Sequence, residues 1–236
     1  SLAASGAATT VTISDSVAGG RSRAGTGHAH PVLASIHTIS VGDPGVEQTL
    51  RQMRRLVLDS AQDPSVIGWA QDVVRFLPER DPDAAANAFL RWVRANVRYT
   101  EDPVTVEAVK TPEAMLRELA EKGRITGDCD DQVTLLAAGL NAVGVETEFV
   151  VVAAVPNFPD YSHVLVQYAG DRRGWVAMDP IVRGTGPGWF PPRHSRVGVY
   201  RNGRLNGLGS SGASAGLGFA IVVGIVAIVV LRRRKD

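Results

Sequence analysis

The hydrophobic rhythm changes along the chain, and each change predicts a boundary. Residues 1–42 are rich in Ala, Ser, Gly and Thr. Two stretches there alternate apolar with polar positions, Thr9 to Val17 and Val32 to Val41, which predicts two short strands in an N-terminal arm. From residue 43 the spacing becomes helical. Asp43-Pro44, Asp63-Pro64 and Asp81-Pro82 each set a capping residue before a proline at the first helical position, predicting helices over Gly45 to Ser60, Ser65 to Leu77 and Asp83 to Val97. In the third helix Ala88, Phe89, Trp92, Val93 and Val97 form one apolar stripe, which assigns Trp92 to the core. Thr111-Pro112 opens a fourth helix that ends at Lys122 before Gly123. Asp128 then caps a fifth, Cys129 to Val143, with Asp131 in a capping-box-like position and Gly144 just past the end.

After Gly144 the period falls to two. Strands are predicted over Val145 to Val155, Ser162 to Tyr168 and Trp175 to Met178, and Val197 to Leu205 contains Asn202-Gly203, a tight hairpin turn. Gly184 to Pro192 is a Gly/Pro-rich loop, and residues 206–214 read as a linker. No charged residue occurs between Leu205 and Leu231. Ala215 to Leu231 is apolar on every face of a helix; at 1.5 Å per residue it reaches about 26 Å, and Gly212 to Ser214 extend it to bilayer thickness. Arg232, Arg233, Arg234 and Lys235 follow at once. This pattern predicts a single membrane-spanning helix over 215–231 with a basic tail over 232–236. Gly212, Gly216, Ala220 and Gly224 form a small-residue stripe on that helix, where a second helix would pack closely.

Composition narrows the chemistry. Lys+Arg number 25 and Asp+Glu 24, a net charge of +1, which argues against nucleic-acid binding driven by bulk charge. With one cysteine, an internal disulfide and a multi-cysteine zinc site are both excluded. That cysteine, Cys129, opens a capped helix, where unpaired N–H groups favour a thiolate. Asp128 and Asp130 oppose it by like charge, so a nucleophile there needs a cationic partner such as histidine.

Five histidines are present. His28, His30 and His37 lie in the arm, and His28 and His30 have no carboxylate or cysteine nearby to complete a metal site. The Asp128-Cys129-Asp130-Asp131 run is explained by capping better than by calcium. His194, in a Pro/Arg-rich loop, reads as solvated. His163 opens a predicted strand, and Asp179 follows the next one. A hairpin centred near Asp171 pairs positions summing to about 342 and sets His163 opposite Asp179, the geometry in which a carboxylate orients an imidazole base.

Cysteine at a helix start, histidine on a strand 34 residues on and aspartate on the adjoining strand 16 further resemble the transglutaminase-like superfamily, a circularly related branch of papain-like thiol enzymes. The matching segments are FLRWVRANVRYTED, TPEAMLRE, GDCDDQVTLLAAGLNAVGVETEFVVV, SHVLVQY and WVAMDP, between Ala84 and Pro180. The resemblance implies an α+β fold with the nucleophile helix packed on an antiparallel sheet. It implies Cys129 as nucleophile, His163 as base and Asp179 as orienting carboxylate, attacking an amide or isopeptide carbon through a thioester. Water as acceptor gives hydrolysis; an amine gives crosslinking. The Cys129 N–H is the expected oxyanion donor, and Trp92 and Tyr99 are weak candidates for a side-chain donor.

The expected organisation is an arm over 1–42, a transglutaminase-like domain over 43–205 (a helical part to 123, then a catalytic α+β part), a linker, the span and the tail. No cofactor or metal is expected. The expected partners are a protein or peptide substrate, the membrane, and assembly partners through the small-residue stripe. The basic tail predicts a single-pass protein whose domain lies on the non-cytoplasmic side, which requires that the domain be exported, or a virion-associated one. The competing expectation is a structural or assembly component of a virion or cell envelope in which the triad is secondary or inactive.

Overall fold

The structure, a computed structural model of the chain, describes residues 9–12, 36–39, 43–101, 106–107, 109–154, 160–171 and 174–208. In chain order its elements are β1 (Thr9–Thr12), β2 (Ile36–Ile39), α1 (Asp43–Ser60), α2 (Pro64–Val74), α3 (Pro82–Asn96), β3 (Val97–Tyr99), β4 (Val106–Glu107), α4 (Pro112–Lys122), β5 (Ile125–Gly127), α5 (Cys129–Ala142), β6 (Thr147–Val152), β7 (His163–Gly170), β8 (Gly174–Met178), β9 (Val197–Arg201) and β10 (Arg204–Leu208). The expected membrane span, its small-residue stripe, the basic tail and the His28-His30 pair lie outside the described residues. Among the described residues no helix is long and apolar enough to cross a membrane.

The capping signals act largely as their chemistry dictates. Asp63 accepts from the Ser65 N–H, Asp81 from the Ala84 N–H and Thr111 from the Ala114 N–H, each just before a proline. Gly123 closes α4 in the left-handed conformation, with φ +70°. Asp43 behaves differently. It is the first residue of α1, and its carboxylate bonds to Arg196, at 2.6 Å from Nη2, far along the chain. Helix α2 stops at Val74, short of the expected Leu77, because Leu77 precedes Pro78 and is turned out of helical geometry. Phe76 in that turn is almost fully exposed, beneath the Arg75 guanidinium.

Five antiparallel strands form the main sheet in the order β10-β9-β6-β7-β8. Asn202 and Gly203 take φ +52° and +78° between β9 and β10, the two positive values that a tight hairpin turn requires. Strand β10 runs to Leu208, so sheet occupies the first residues read as linker. Two smaller sheets accompany it. Strand β3 pairs parallel with β5, and β1, antiparallel to β2, pairs parallel with β4. Strands β1 and β2 fall within the two stretches expected to be strands, whereas β3, β4 and β5, at two or three residues, are too short to show a period.

Helix α5 is the hub. Every residue from Asp130 to Leu140 is buried, because α1, α2, α3 and α4 surround it and β7 lies against it. Its side chains share one core with Leu50, Met53, Phe89, Val93, Val164, Val166 and Tyr168. Trp92 belongs to this packing as expected, meeting Trp69 edge to face at 4.8 Å. On the other face of the sheet Val150, Val152, Leu165 and Val199 are covered by Trp189 and Phe190. The two ends of the domain meet: besides the Asp43–Arg196 pair, the Leu205 N–H donates to Glu47 of α1.

Gly139 sets how closely the helices approach. A Cβ there would sit 2.5 Å from Phe89 Cε1 and 2.8 Å from the Trp69 ring. Gly139→Ala gains roughly 1 kcal/mol of helix propensity but must displace two packed aromatic rings, an overpacking cost of about 1–3 kcal/mol. The expected outcome is a net loss of stability, read as a lower denaturation midpoint with an unchanged denaturant slope; a midpoint at or above that of the parent chain contradicts the packing described.

Candidate active site

The start of α5 is built by three local devices. Asp128 accepts from the Asp130 and Asp131 N–H groups, satisfying donors that a helix start leaves free. Asp131, fully buried, reaches Lys110. Its Oδ1 accepts from the Lys110 N–H at 2.7 Å, and its Oδ2 lies 3.9 Å from Lys110 Nζ. Lys110 also reaches Glu118 and the Thr126 carbonyl, so one lysine ties α4, β5 and α5 together. Gly127 permits the close approach of β5, since a Cβ there would fall 2.7 Å from the Asp131 Cβ.

Cys129 is therefore fixed at the first turn of a buried helix, partly exposed itself. Its thiol donates to Asp130 Oδ1 at 3.4 Å, and the backbone of Val164, the residue after His163, also hydrogen-bonds the sulfur. Burial pushes the thiol well above its ordinary range, and the Asp130 and Asp128 carboxylates push it further. The opposition of these two aspartates foreseen in the sequence thus operates, with burial the larger cause. Because the folded value lies above the unfolded one, the protonated thiol favours the fold. That contribution is complete below the ordinary thiol pKa and is lost as the pH climbs through the raised one.

His163 and Asp179 are brought together. His163 Nε2 lies 2.7 Å from Asp179 Oδ2, with the carboxylate fully buried. The register differs from the expected one. Gly170 pairs with Gly174 and Val166 with Met178, so opposite positions sum to 344 and the hairpin is centred on residue 172. Extending that register by one residue sets Asp179 opposite Leu165. The contact with His163 is then diagonal on one face, not directly across. The other carboxylate oxygen, Oδ1, accepts from the Ile181 and Val182 N–H groups. An ionised Asp179 accepts from Nε2–H and so holds the imidazole in the tautomer that leaves Nδ1 free to take a proton.

Tyr99 ends β3 opposite Gly127, two residues before Cys129, and is nearly half exposed. Burial of its ring, followed by the nearby charge of Cys129, raises its hydroxyl to about 12, so it stays protonated and able to donate. Trp92, the other side-chain donor considered, packs edge to face on Trp69 against the core. His194 stays on the surface, held by the Pro191 carbonyl and the Phe190 ring. Among the described residues, no group of three or more His, Cys, Asp or Glu is placed to hold a metal ion. The sequence reading missed Arg94, whose guanidinium reaches the segment that follows β8; its place in an otherwise amphipathic helix gave no signal of that reach.

Residues 68–180 match the family model of the transglutaminase-like superfamily, and this part of the chain is a transglutaminase-like core. The match begins in α2, upstream of the segments that carried the resemblance, and ends just after Asp179. Among solved structures, the chain is similar to a presumptive protease from Parabacteroides distasonis (TM-score 0.48, 15% identity, covering 70% of this chain and 30% of that one). It is also similar to LapG of Legionella pneumophila (TM-score 0.41, 13% identity, 61% and 82%) and to a transglutaminase of red sea bream (TM-score 0.35, 14% identity, 65% and 30%). The chain thus spans under a third of the first and last of these proteins. No curated protein sequence matches it.

Asp130→Asn removes the charge nearest the thiol. The pH midpoint of Cys129 alkylation by iodoacetamide is expected to fall, and the rate at neutral pH to rise, since the thiolate no longer faces a carboxylate. A midpoint that stays put or moves upward contradicts this account of the raised thiol.

Proposed function

We propose that the protein is a membrane-anchored thiol enzyme that attacks amide or isopeptide carbons, with Cys129 as nucleophile, His163 as base and Asp179 as the orienting carboxylate. The observation that carries this reading is the 2.7 Å His163–Asp179 pair, with His163 opening β7, the strand packed on the helix that Cys129 opens. Attack of the thiolate on the carbonyl carbon gives a tetrahedral oxyanion, for which the Cys129 N–H is a donor. Collapse expels the amine, protonated by His163, and leaves a thioester. Water or a second amine then attacks the thioester, gives its proton to His163 and releases the thiol. The raised thiol fits a nucleophile that is a poor thiolate alone and depends on the imidazole to take its proton during attack.

The anchor follows from the apolar run over 215–231 and the basic cluster after it. Positive charge is retained on the cytoplasmic side, so the domain is proposed to lie on the opposite face, with a protein or peptide substrate. The small-residue stripe through Gly212, Gly216, Ala220 and Gly224 would serve helix–helix association within the membrane.

Cys129→Ala is expected to abolish turnover while leaving thermal unfolding nearly unchanged, and proteomic comparison of cleaved or crosslinked products between the two chains reads this out. His163→Ala should slow turnover by on the order of 10²–10⁴-fold, and Asp179→Asn by less, because the base moves the proton and the carboxylate only holds it in place. Full turnover in the Cys129 variant would sink the reading. For topology, protease added to intact cells should digest the domain and spare the tail; protection of the domain until the membrane is broken would reverse the orientation.

A further inference from the structure

Arg94 lies in the last turn of α3, half-buried, and its guanidinium is spent almost wholly on one short segment. Nε donates to the Pro180 carbonyl at 3.2 Å and Nη1 to the Thr185 carbonyl at 2.6 Å. Nη2 faces the Asp179 and Val182 carbonyls, both at 2.6 Å, and the Thr185 hydroxyl at 2.8 Å. Thr185 Oγ1 in turn donates to the Val182 carbonyl. Four carbonyls spread over seven residues thus converge on one planar group. Desolvation lowers the Arg94 pKa, and the neighbouring Asp179 charge opposes that fall. A surface turn needs no such arrangement, because water satisfies its carbonyls.

We infer that Arg94 is a positioning residue for the proposed reaction: it fixes the 179–185 turn, and through it the aim of the Asp179 carboxylate at His163. The inference rests on the reading of Cys129, His163 and Asp179 given above. The link is geometric. Asp179 Oδ1 is held by the Ile181 and Val182 N–H groups, and those N–H groups point at it only while the turn keeps its shape. With Oδ1 fixed, Oδ2 has one direction left, toward His163 Nε2. Removing the guanidinium leaves carbonyls of this turn without donors. The turn then opens toward water, and the carboxylate loses its second anchor. Lysine keeps the charge but not the fork, so it can meet only part of the set.

The test uses the full chain with Arg94→Gln and Arg94→Lys. The first readout is the proton NMR resonance of His163 Nε2–H, which a 2.7 Å bond to a buried carboxylate moves far downfield. The second is the pH profile of Cys129 alkylation by iodoacetamide. Arg94→Gln should lose the resonance and slow alkylation near neutral pH by roughly tenfold to a hundredfold, the scale of a misplaced base. Arg94→Lys should fall between Arg94→Gln and the parent chain. In an Asp179→Asn background, Arg94→Gln should add little, because its route to the imidazole is already cut. A resonance that persists in both variants, or an equal loss of rate with and without the Asp179 carboxylate, overturns the inference. If Arg94→Gln does not fold, Arg94→Lys decides alone by the same resonance. Failure of the underlying triad is separately visible. In that case His163→Ala leaves alkylation unchanged, while the Arg94 variants still disturb the Nε2–H resonance.

Discussion

The burial of α5 on every side is the constraint from which the rest of the architecture follows. A helix with Val133, Leu135, Leu136, Ala137, Ala138 and Leu140 all removed from water has no solvent face of its own. It needs four helices around it and a sheet beneath it, and the chain supplies them from both directions in sequence. Its two ends reach a boundary, Cys129 at the start and Asn141 and Ala142 at the finish, and at the start the residue types change abruptly to Asp128, Cys129, Asp130 and Asp131. The helix therefore fixes the thiol with the rigidity of a core residue, while Asp128 takes up the N–H groups of Asp130 and Asp131.

Electrostatics at this boundary pull in two directions. The helix start favours negative charge, yet burial and two carboxylates hold the thiol protonated. Lys110 does not relieve this, since its ammonium is shared among Asp131, Glu118 and the Thr126 carbonyl. The positive groups nearby are spent on structure: Lys110 on the helix start and Arg94 on the turn after β8. The base proposed for the thiol's proton, His163, is fixed from behind by a buried aspartate.

Much of this was legible in the chain. The Asp-Pro and Thr-Pro signals work through contacts within three residues, so Asp63, Asp81 and Thr111 announce their helices directly. Asn202-Gly203 likewise carries its own turn. Asp43 offers the same signal and is drawn into a tertiary ion pair with Arg196, which no local rule foresees. The His163–Asp179 contact was anticipated because hairpin pairing is local, but its register was two short, since the turn centre depends on how Gly174 and its neighbours close the loop. Strands β3, β4 and β5 were missed because so few residues cannot establish a period. Arg94 was illegible for a different reason: its partners lie about ninety positions away and are backbone carbonyls, which every residue possesses.

The meeting of α1 with the last hairpin has its own consequence. Asp43 and Glu47 hold Arg196 and the Leu205 N–H, so the first helix and the final pair of strands are stitched at one place. A domain joined in this way can be inserted into a longer polypeptide, or reopened elsewhere and religated at that seam, without disturbing its interior. Whatever flanks it on either side is fastened at a common root.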